Sequence, residues 1–188
     1  MVATAIRLCA ATLVCVLWPI EYTSAGMARV CRRQTVESQT VTDPWPRVAL
    51  PDPHAASALR NALETASQWL SRPKCQTLFT DFQDERGRPL IERLAIIGIS
   101  ADVYLGWIFF RDGSEAQRCA TALAYTEPGS RVVRVCSLAV ERAGRQNADY
   151  LVAIVIHEML HTLGLGENPP SSSEITARVR QRCWNRGK

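Results

Sequence analysis

The clearest hydrophobic pattern in the chain lies between residues 53 and 70, where apolar positions recur at helical spacing. These positions are Leu59, Ala62, Leu63, Ala66 and Leu70. Apolar residues three, four and seven apart form one face of a helix. Asp52 followed by Pro53 is typical of a helix start, because the aspartate caps the first turn and proline fits its first position. The pattern predicts a one-faced helix that begins at Pro53 and ends before Pro73.

A second segment, residues 149–163, is apolar on nearly every side. Its apolar residues are Leu151, Val152, Ile154, Val155, Ile156, Met159, Leu160 and Leu163. A helix that is apolar all round is buried in the protein core. Gly164 and Gly166 are expected to end it.

A short C-terminal helix is predicted to begin after Ser171. Ser171 and Glu174 have the spacing of a capping box, in which the two side chains each satisfy a backbone N–H of the first turn. Ile175, Val179 and Cys183 then share one face of the helix.

Shorter apolar runs between the helices predict strands. The predicted strands are residues 76–82, 103–110, 119–126 and 131–136. Residues 103–110 are apolar except for Gly106, which is typical of a strand buried on both faces. The last two strands flank the loop 127–130, so they are expected to form a β-hairpin. Residues 90–97 have an ambiguous period and are interpreted as a short helix.

The composition fits one globular domain. The chain has 188 residues, of which 47% are hydrophobic and 21% charged, which excludes a disordered tail, a collagen and a coiled coil. The net charge of +4 is only weakly basic, so we expect no nucleic-acid partner. We also expect the protein to be a monomer. The elements predict an α+β domain, in which a twisted mixed sheet of about four strands packs on the long helix and the buried helix.

The N-terminal segment predicts export from the cell. Residues 8–20 form an uncharged apolar run behind Arg7, shorter than the ~20 residues that a membrane-spanning helix needs. We interpret residues 1–28 as a signal peptide cleaved near residues 25–28, with an uncleaved anchor as the alternative. Residues 29–52 are then an extended lead-in and residues 53–188 the domain. The expected location is secreted, extracellular or periplasmic, with no membrane span after signal removal.

Export changes how the cysteines are interpreted. Of seven cysteines, Cys9 and Cys15 would leave with the signal peptide, so five remain. These five are Cys31, Cys75, Cys119, Cys136 and Cys183. Outside the cytosol they are disulfide candidates, and an odd number predicts two bridges and one free thiol. The predicted hairpin suggests a Cys119–Cys136 bridge, and the rest of the connectivity stays open.

The buried helix contains the sequence H-E-M-L-H at residues 157–161. His157 and His161 are four residues apart and project from one helix face, which suits two imidazoles that bind one zinc ion. Glu158 lies about 100° around the helix, where it can act as a general base on a water molecule activated by zinc. Burying these ionisable groups without a partner is costly, so zinc is preferred to a pair of hydrogen-bonded core histidines.

Two carboxylates compete for the third position on the metal. Gly164 permits a left-handed turn after the helix, from which Glu167 could return to the zinc. Glu174 is the alternative, although the capping box already explains its position. We expect His157, His161 and Glu167 to be the ligands of one catalytic Zn²⁺.

Two stretches of the chain resemble a known family. H-E-M-L-H-T-L-G at residues 157–164 resembles the zinc helix of the metzincin metalloproteases and is closest to their matrix-metalloprotease branch. L-A-Y-T-E-P-G at residues 123–129 is similar to an L-A-H-A-x-x-P-G segment of that branch. The chain departs from the family in having Glu167 where the third ligand is His or Asp, and no methionine after Met159 to form a Met-turn.

The resemblance implies a zincin-like, metzincin-type fold and a secreted zinc metalloendopeptidase that hydrolyses peptide or protein substrates. It also implies that backbone groups of Leu123 and Ala124 hold an extended peptide as an added strand. Glu158 would be the catalytic base. Two alternatives stay open. One is a zinc-binding but catalytically inactive zincin-like domain, and the other is a disulfide-stabilised binding module of the cell envelope.

Overall fold

A computed structural model of the protein describes residues 46–184. The predicted signal peptide, Cys31 and most of the predicted lead-in lie outside the described residues. The elements are β1 (Arg47–Ala49), α1 (Pro53–Leu70), α2 (Pro73–Gln76), α3 (Leu78–Asp81), α4 (Leu90–Ile97), α5 (Ala101–Leu105), β2 (Phe109–Asp112), β3 (Ala124–Tyr125), β4 (Val132–Val135), α6 (Ser137–Gln146), α7 (Ala148–Thr162) and α8 (Ser172–Cys183). A 3₁₀ turn, Gln117–Ala120, lies between β2 and β3.

The strands form one mixed sheet in the order β1-β2-β4-β3. β2 runs parallel to β1 and to β4, whereas β3 runs antiparallel to β4 with Ala124 opposite Val135. The predicted α+β class and the sheet of about four strands are confirmed. β3 is therefore an edge strand, and β1 comes from the end of the segment predicted to be extended.

The two long helices follow the predicted patterns. At the start of α1, the Asp52 carboxylate accepts hydrogen bonds from the backbone N–H groups of His54 and Ala55, at 2.8 and 2.9 Å. The predicted apolar face of α1 is buried, and this helix packs against α5, α6 and α7. α7 is buried along most of its length and contacts β3 and β4, which places it beneath the edge strand.

The C-terminal helix and both described disulfides hold the periphery together. α8 begins with the predicted capping box of Ser171 and Glu174, and its predicted apolar face is buried. Cys183 on α8 is bonded to Cys75 on α2, and a second bridge joins Cys119 to Cys136. The predicted pair of bridges is confirmed, including the suggested Cys119–Cys136 bridge.

The strand predicted at residues 76–82 is wrong, because this segment forms the end of α2 and all of α3. Cys75, Leu78 and Phe79 are fully buried. Their spacing of three and four residues is that of a helical face, which the apolar run alone did not reveal.

The strand predicted at residues 103–110 is also wrong in its first half. Residues up to Leu105 belong to α5, which is capped by Gly106, and β2 begins only at Phe109. An apolar run without a clear period does not distinguish a buried helix from a buried strand. Here the first part of the run belongs to helix α5 and its last part to strand β2.

The antiparallel pairing of the predicted hairpin is confirmed, but its first strand is shorter than predicted. β3 contains only Ala124 and Tyr125, because Cys119 lies in the 3₁₀ turn. The sequence patterns predict no helix at the position of α6. Within residues 46–184, no helix is both long enough and apolar enough to cross a bilayer.

Candidate metal centre

Three side chains converge at the C-terminal end of α7 and just beyond it. The Nε2 atoms of His157 and His161 are 2.9 Å apart. Oε1 of Glu167 lies 3.5 Å from Nε2 of His157 and 3.4 Å from Nε2 of His161. Ligand atoms bound at about 2.0–2.1 Å to one tetrahedral zinc lie about 3.3 Å from each other. The two distances to Glu167 match those of a single metal site, and the two Nε2 atoms lie somewhat closer together, at hydrogen-bond distance.

The other ring nitrogen of each imidazole has a partner of its own. Nδ1 of His161 lies 2.7 Å from the carbonyl oxygen of Leu165, and Nδ1 of His157 lies 2.8 Å from the Thr176 hydroxyl. A carbonyl only accepts, so Nδ1 of His161 carries the proton and its Nε2 presents a lone pair. Partners of this kind orient metal-binding histidines.

The environment keeps the first histidine in the form that binds a metal. Burial, together with the neighbouring His161 ring, lowers the pKa of His157 to about 3. Its imidazole is neutral at physiological pH, and only a neutral imidazole has a lone pair for a metal ion. If Thr176 accepts the hydrogen bond from Nδ1, two nitrogen lone pairs face each other in a buried site. A cation between them satisfies both.

The turn after α7 brings the carboxylate to the histidines. Gly164 has a φ of 109°, in the range that residues with a side chain rarely adopt. Its N–H donates to the carbonyl of His161 at 2.8 Å, and the N–H of Leu165 donates to the carbonyl of Leu160 at 3.1 Å. The predicted left-handed turn is present. It directs the Leu165 carbonyl to His161, and the chain then returns Glu167 to the cluster.

The alternative ligand Glu174 has a different environment. Its Oε2 accepts hydrogen bonds from the backbone N–H and the hydroxyl of Ser171, at 2.8 and 2.7 Å. These bonds hold the pKa of Glu174 below its ordinary value. In the described part of the chain, the side chains grouped closely enough to share a metal are His157, His161 and Glu167. The preferred set is brought together, and Glu174 caps α8.

Glu158 is buried beside the cluster. Its side chain lines a cavity of about 360 Å³ together with both histidines and Glu167. Its Oε2 is buried without a hydrogen-bond partner. Burial, and secondarily the negative charge of Glu167, raises the pKa of Glu158 to about 8. An unpartnered buried carboxylate oxygen in a cavity is a group poised to receive a proton.

The edge strand β3 forms another part of the cavity wall. The Leu123 carbonyl accepts from the Cys136 N–H at 2.9 Å, so the polar groups of Leu123 face β4. Alternation along an antiparallel ladder then directs the N–H and carbonyl of Ala124 to the open edge. Ala124 lines the cavity. The N–H of Gly129, in the loop after β3, donates to the His161 carbonyl at 2.8 Å and so ties this loop to α7.

Three features of the site were missed by the sequence patterns. Thr176 and the Leu165 carbonyl hold the histidines, and Arg118 lines the cavity with its guanidinium 5.6 Å from the centre of the Tyr125 ring. Thr176 could have been suspected from its place beside Ile175 on the inner part of α8. Arg118 carries no such signal, because its position depends on the 3₁₀ turn.

Fold and site together define a mixed α+β protein with a His-His-Glu group that could hold a metal ion. No family description, curated protein or solved structure matches the chain. Its function is therefore argued from the geometry of the site.

Proposed function

We propose that the protein is a secreted zinc-dependent metalloendopeptidase with a metzincin-like site. The observation that carries the proposal is the triangle of Nε2, Nε2 and Oε1 atoms beside the buried Glu158. Two imidazoles and one carboxylate are a donor set found in catalytic zinc sites, where a fourth position is left open. A zinc ion held there supplies Lewis-acid activation of water and polarisation of the substrate carbonyl.

Glu158 has the properties of the general base in this reaction. Its unpartnered Oε2 takes a proton from the attacking water and returns it to the amine of the departing peptide. The protein environment alone raises the pKa of Glu158 to about 8. The positive charge of a metal ion bound beside it would lower this pKa and favour the carboxylate form that takes the proton. A purely structural metal site has no use for such a group.

The open edge of β3 is the proposed binding site for an extended peptide. The N–H and carbonyl of Ala124 are available to an added strand, whereas the Leu123 carbonyl is already bonded to Cys136. The hydrogen bond from the Gly129 N–H to the His161 carbonyl holds the loop after β3 against α7. We therefore assign main-chain recognition to Ala124 rather than to Leu123.

The two disulfides support the proposed secretion. Such bonds persist in oxidising compartments and are rare in the cytosol. The Cys119–Cys136 bridge also lies next to the proposed peptide-binding edge.

The test compares zinc content and cleavage of an unstructured protein for the wild type and for Glu158→Gln. We expect about one zinc per chain in both proteins, and a loss of cleavage of about 10²- to 10⁴-fold in the variant. Zinc without cleavage in the wild type would favour the inactive zinc-binding domain. A wild type that binds no zinc would overturn the proposal.

A matched pair of variants tests the third ligand. Glu167→Gln should lose zinc on dialysis, whereas Glu174→Gln should keep it and lose only part of the cap of α8. Equal zinc loss in the two variants would contradict the assignment of Glu167.

A further inference from the structure

Arg118 is a cation within the wall of the proposed catalytic cavity. It lines the same cavity as the two histidines, Glu158 and Glu167. It lies in the 3₁₀ turn Gln117–Ala120, and the next residue, Cys119, is bonded to Cys136. The disulfide therefore holds the backbone that carries this cation beside the site.

The guanidinium of Arg118 has no carboxylate partner among residues 46–184. The arginines that form ion pairs there are Arg88, Arg145, Arg178 and Arg182. Arg118 instead lies over the Tyr125 ring, 5.6 Å from its centre. A guanidinium over an aromatic face keeps its N–H donors in its own plane, where they remain free for an acceptor.

A smaller cavity of about 200 Å³ adjoins the first beside Tyr125. Arg118, Tyr125 and Thr126 line both cavities. Arg134, which is opposite Tyr125 in the β3–β4 pairing, lines only the smaller one. The smaller cavity is lined by two arginines, Arg118 and Arg134, and by one carboxylate, Glu127. The net charge of its lining is therefore positive.

We infer that Arg118 binds a carboxylate of the peptide substrate close to the bond that is cut. This inference rests on the proposed peptidase function. The guanidinium can donate two parallel N–H bonds to one carboxylate, which gives orientation as well as attraction. The carboxylate can be an Asp or Glu side chain within a longer peptide or the C-terminal group of a short one. Both present the same chemistry to Arg118.

The experiment measures kcat/KM for peptides that differ only in this group. One series has blocked ends and carries Asp, or Asn as its neutral counterpart, at successive positions around the cut bond. A second, neutral series ends in a free carboxylate or in an amide. The first series detects side-chain recognition and the second detects recognition of the C-terminus.

The wild type should cleave one acidic peptide about fivefold or more faster than its neutral counterpart, as expected for an exposed ion pair of about 1 kcal/mol. Arg118→Gln should abolish this ratio, and Arg118→Lys should keep part of it. Arg131→Gln is the matched control, because Arg131 also lies over an aromatic ring, that of Trp107 at 5.2 Å, but lines neither cavity. The preference should weaken as salt is raised.

A binding measurement separates this inference from the proposed function. Fluorescence anisotropy with the labelled acidic and neutral peptides is carried out on Glu158→Gln, with and without Arg118→Gln. Tighter binding of the acidic peptide that is lost with Arg118 supports the inference even if the wild type cleaves nothing, in which case the proposed function fails alone. Cleavage or binding with no preference for either carboxylate, or a preference that survives Arg118→Gln, would overturn the inference.

Discussion

The cavity has two walls of different construction. In the helix wall, His157, Glu158 and His161 project from α7 and are only 3%, 5% and 5% exposed. In the strand wall, β3 is two residues long and partly exposed, and the neighbouring Arg118 is exposed. In the proposed peptidase, the buried wall would fix the atoms whose geometry the chemistry needs, and the exposed wall would be open to the peptide. The proposal therefore divides metal binding from substrate binding between the two walls.

The two walls are also stabilised by different forces. α7 packs against α1, α6 and α8, so the helix wall is held by the hydrophobic core. The strand wall depends on fewer contacts, chiefly the β3–β4 pairing, the Cys119–Cys136 bridge and the hydrogen bond from Gly129 to His161. Changes in the helix wall should therefore alter zinc binding, and changes in the strand wall should alter cleavage while zinc is retained.

The largest effect is expected from His161→Ala, which removes one ligand from the helix wall. Zinc affinity should fall by more than about a hundredfold, since the loss of a ligand exceeds the 10- to 100-fold typical of supporting residues. The measurement is zinc per chain after dialysis, by mass spectrometry of the metal. His54→Ala is the control, because His54 is exposed at the start of α1 and should have no effect. Zinc retention by His161→Ala would contradict the division between the walls.

The strand wall is tested by the double variant Cys119→Ser, Cys136→Ser. The bridge closes a separation of 17 residues, for which the chain-entropy relation gives a loss of about 3 kcal/mol in the free energy of unfolding. Denaturant unfolding measures this loss. In the folded protein zinc content should be unchanged, while cleavage falls because the β3 edge and Arg118 are less well held.

The other bridge is the control for this variant. Replacing Cys75 and Cys183 also removes a disulfide, one that joins α2 to α8 rather than supporting β3. Below its unfolding midpoint, that variant should retain the preference for an acidic peptide. Loss of zinc from the Cys119/Cys136 variant while it remains folded would show that the walls are not independent.

Gly164→Ala tests the link between α7 and Glu167. An alanine at this position would have to adopt the φ of 109°. Its methyl group would lie 3.2 Å from Cβ of Asp84. We expect a loss of about 1–2 kcal/mol in stability and weaker zinc binding, because the turn that returns Glu167 is distorted. Gly98→Ala is matched in its positive φ of 77° but has open space around it. It should lose stability without a change in zinc affinity.

The same contrast explains what the sequence could predict. The helix wall is local: the spacing of His157 and His161, the turn at Gly164 and the return of Glu167 all lie within eleven residues of chain. Helical periodicity and glycine conformation therefore predict this set of residues, with Glu174 as the alternative third ligand. The strand wall is not local, because Arg118 reaches the site only through the 3₁₀ turn, the bridge and the β3–β4 pairing. No residue spacing encodes that approach.

One error in the fold prediction has the same origin. Residues 103–110 have strong apolar character but no period, and their division into α5 and β2 is decided by packing around Tyr104 and Phe110, which are both buried. Thr176 is a similar case, since helical spacing placed α8 correctly but could not show that this residue touches His157. Contacts between distant segments determine these features.

Thr176 provides the smallest and most specific test of the helix wall. Thr176→Val keeps the shape of the side chain but removes the hydroxyl that lies 2.8 Å from Nδ1 of His157. We expect zinc affinity to fall about tenfold, as is typical when a partner of a metal-binding histidine is lost. The zinc-free protein should also lose about 1–3 kcal/mol of stability, because the buried Nδ1 of His157 is left without a partner. Competition with a chelator measures the affinity. Thr176→Ser retains the hydroxyl and should keep most of the wild-type zinc affinity. Equal zinc affinities of the Thr176→Val and Thr176→Ser variants would mean that Thr176 does not orient His157.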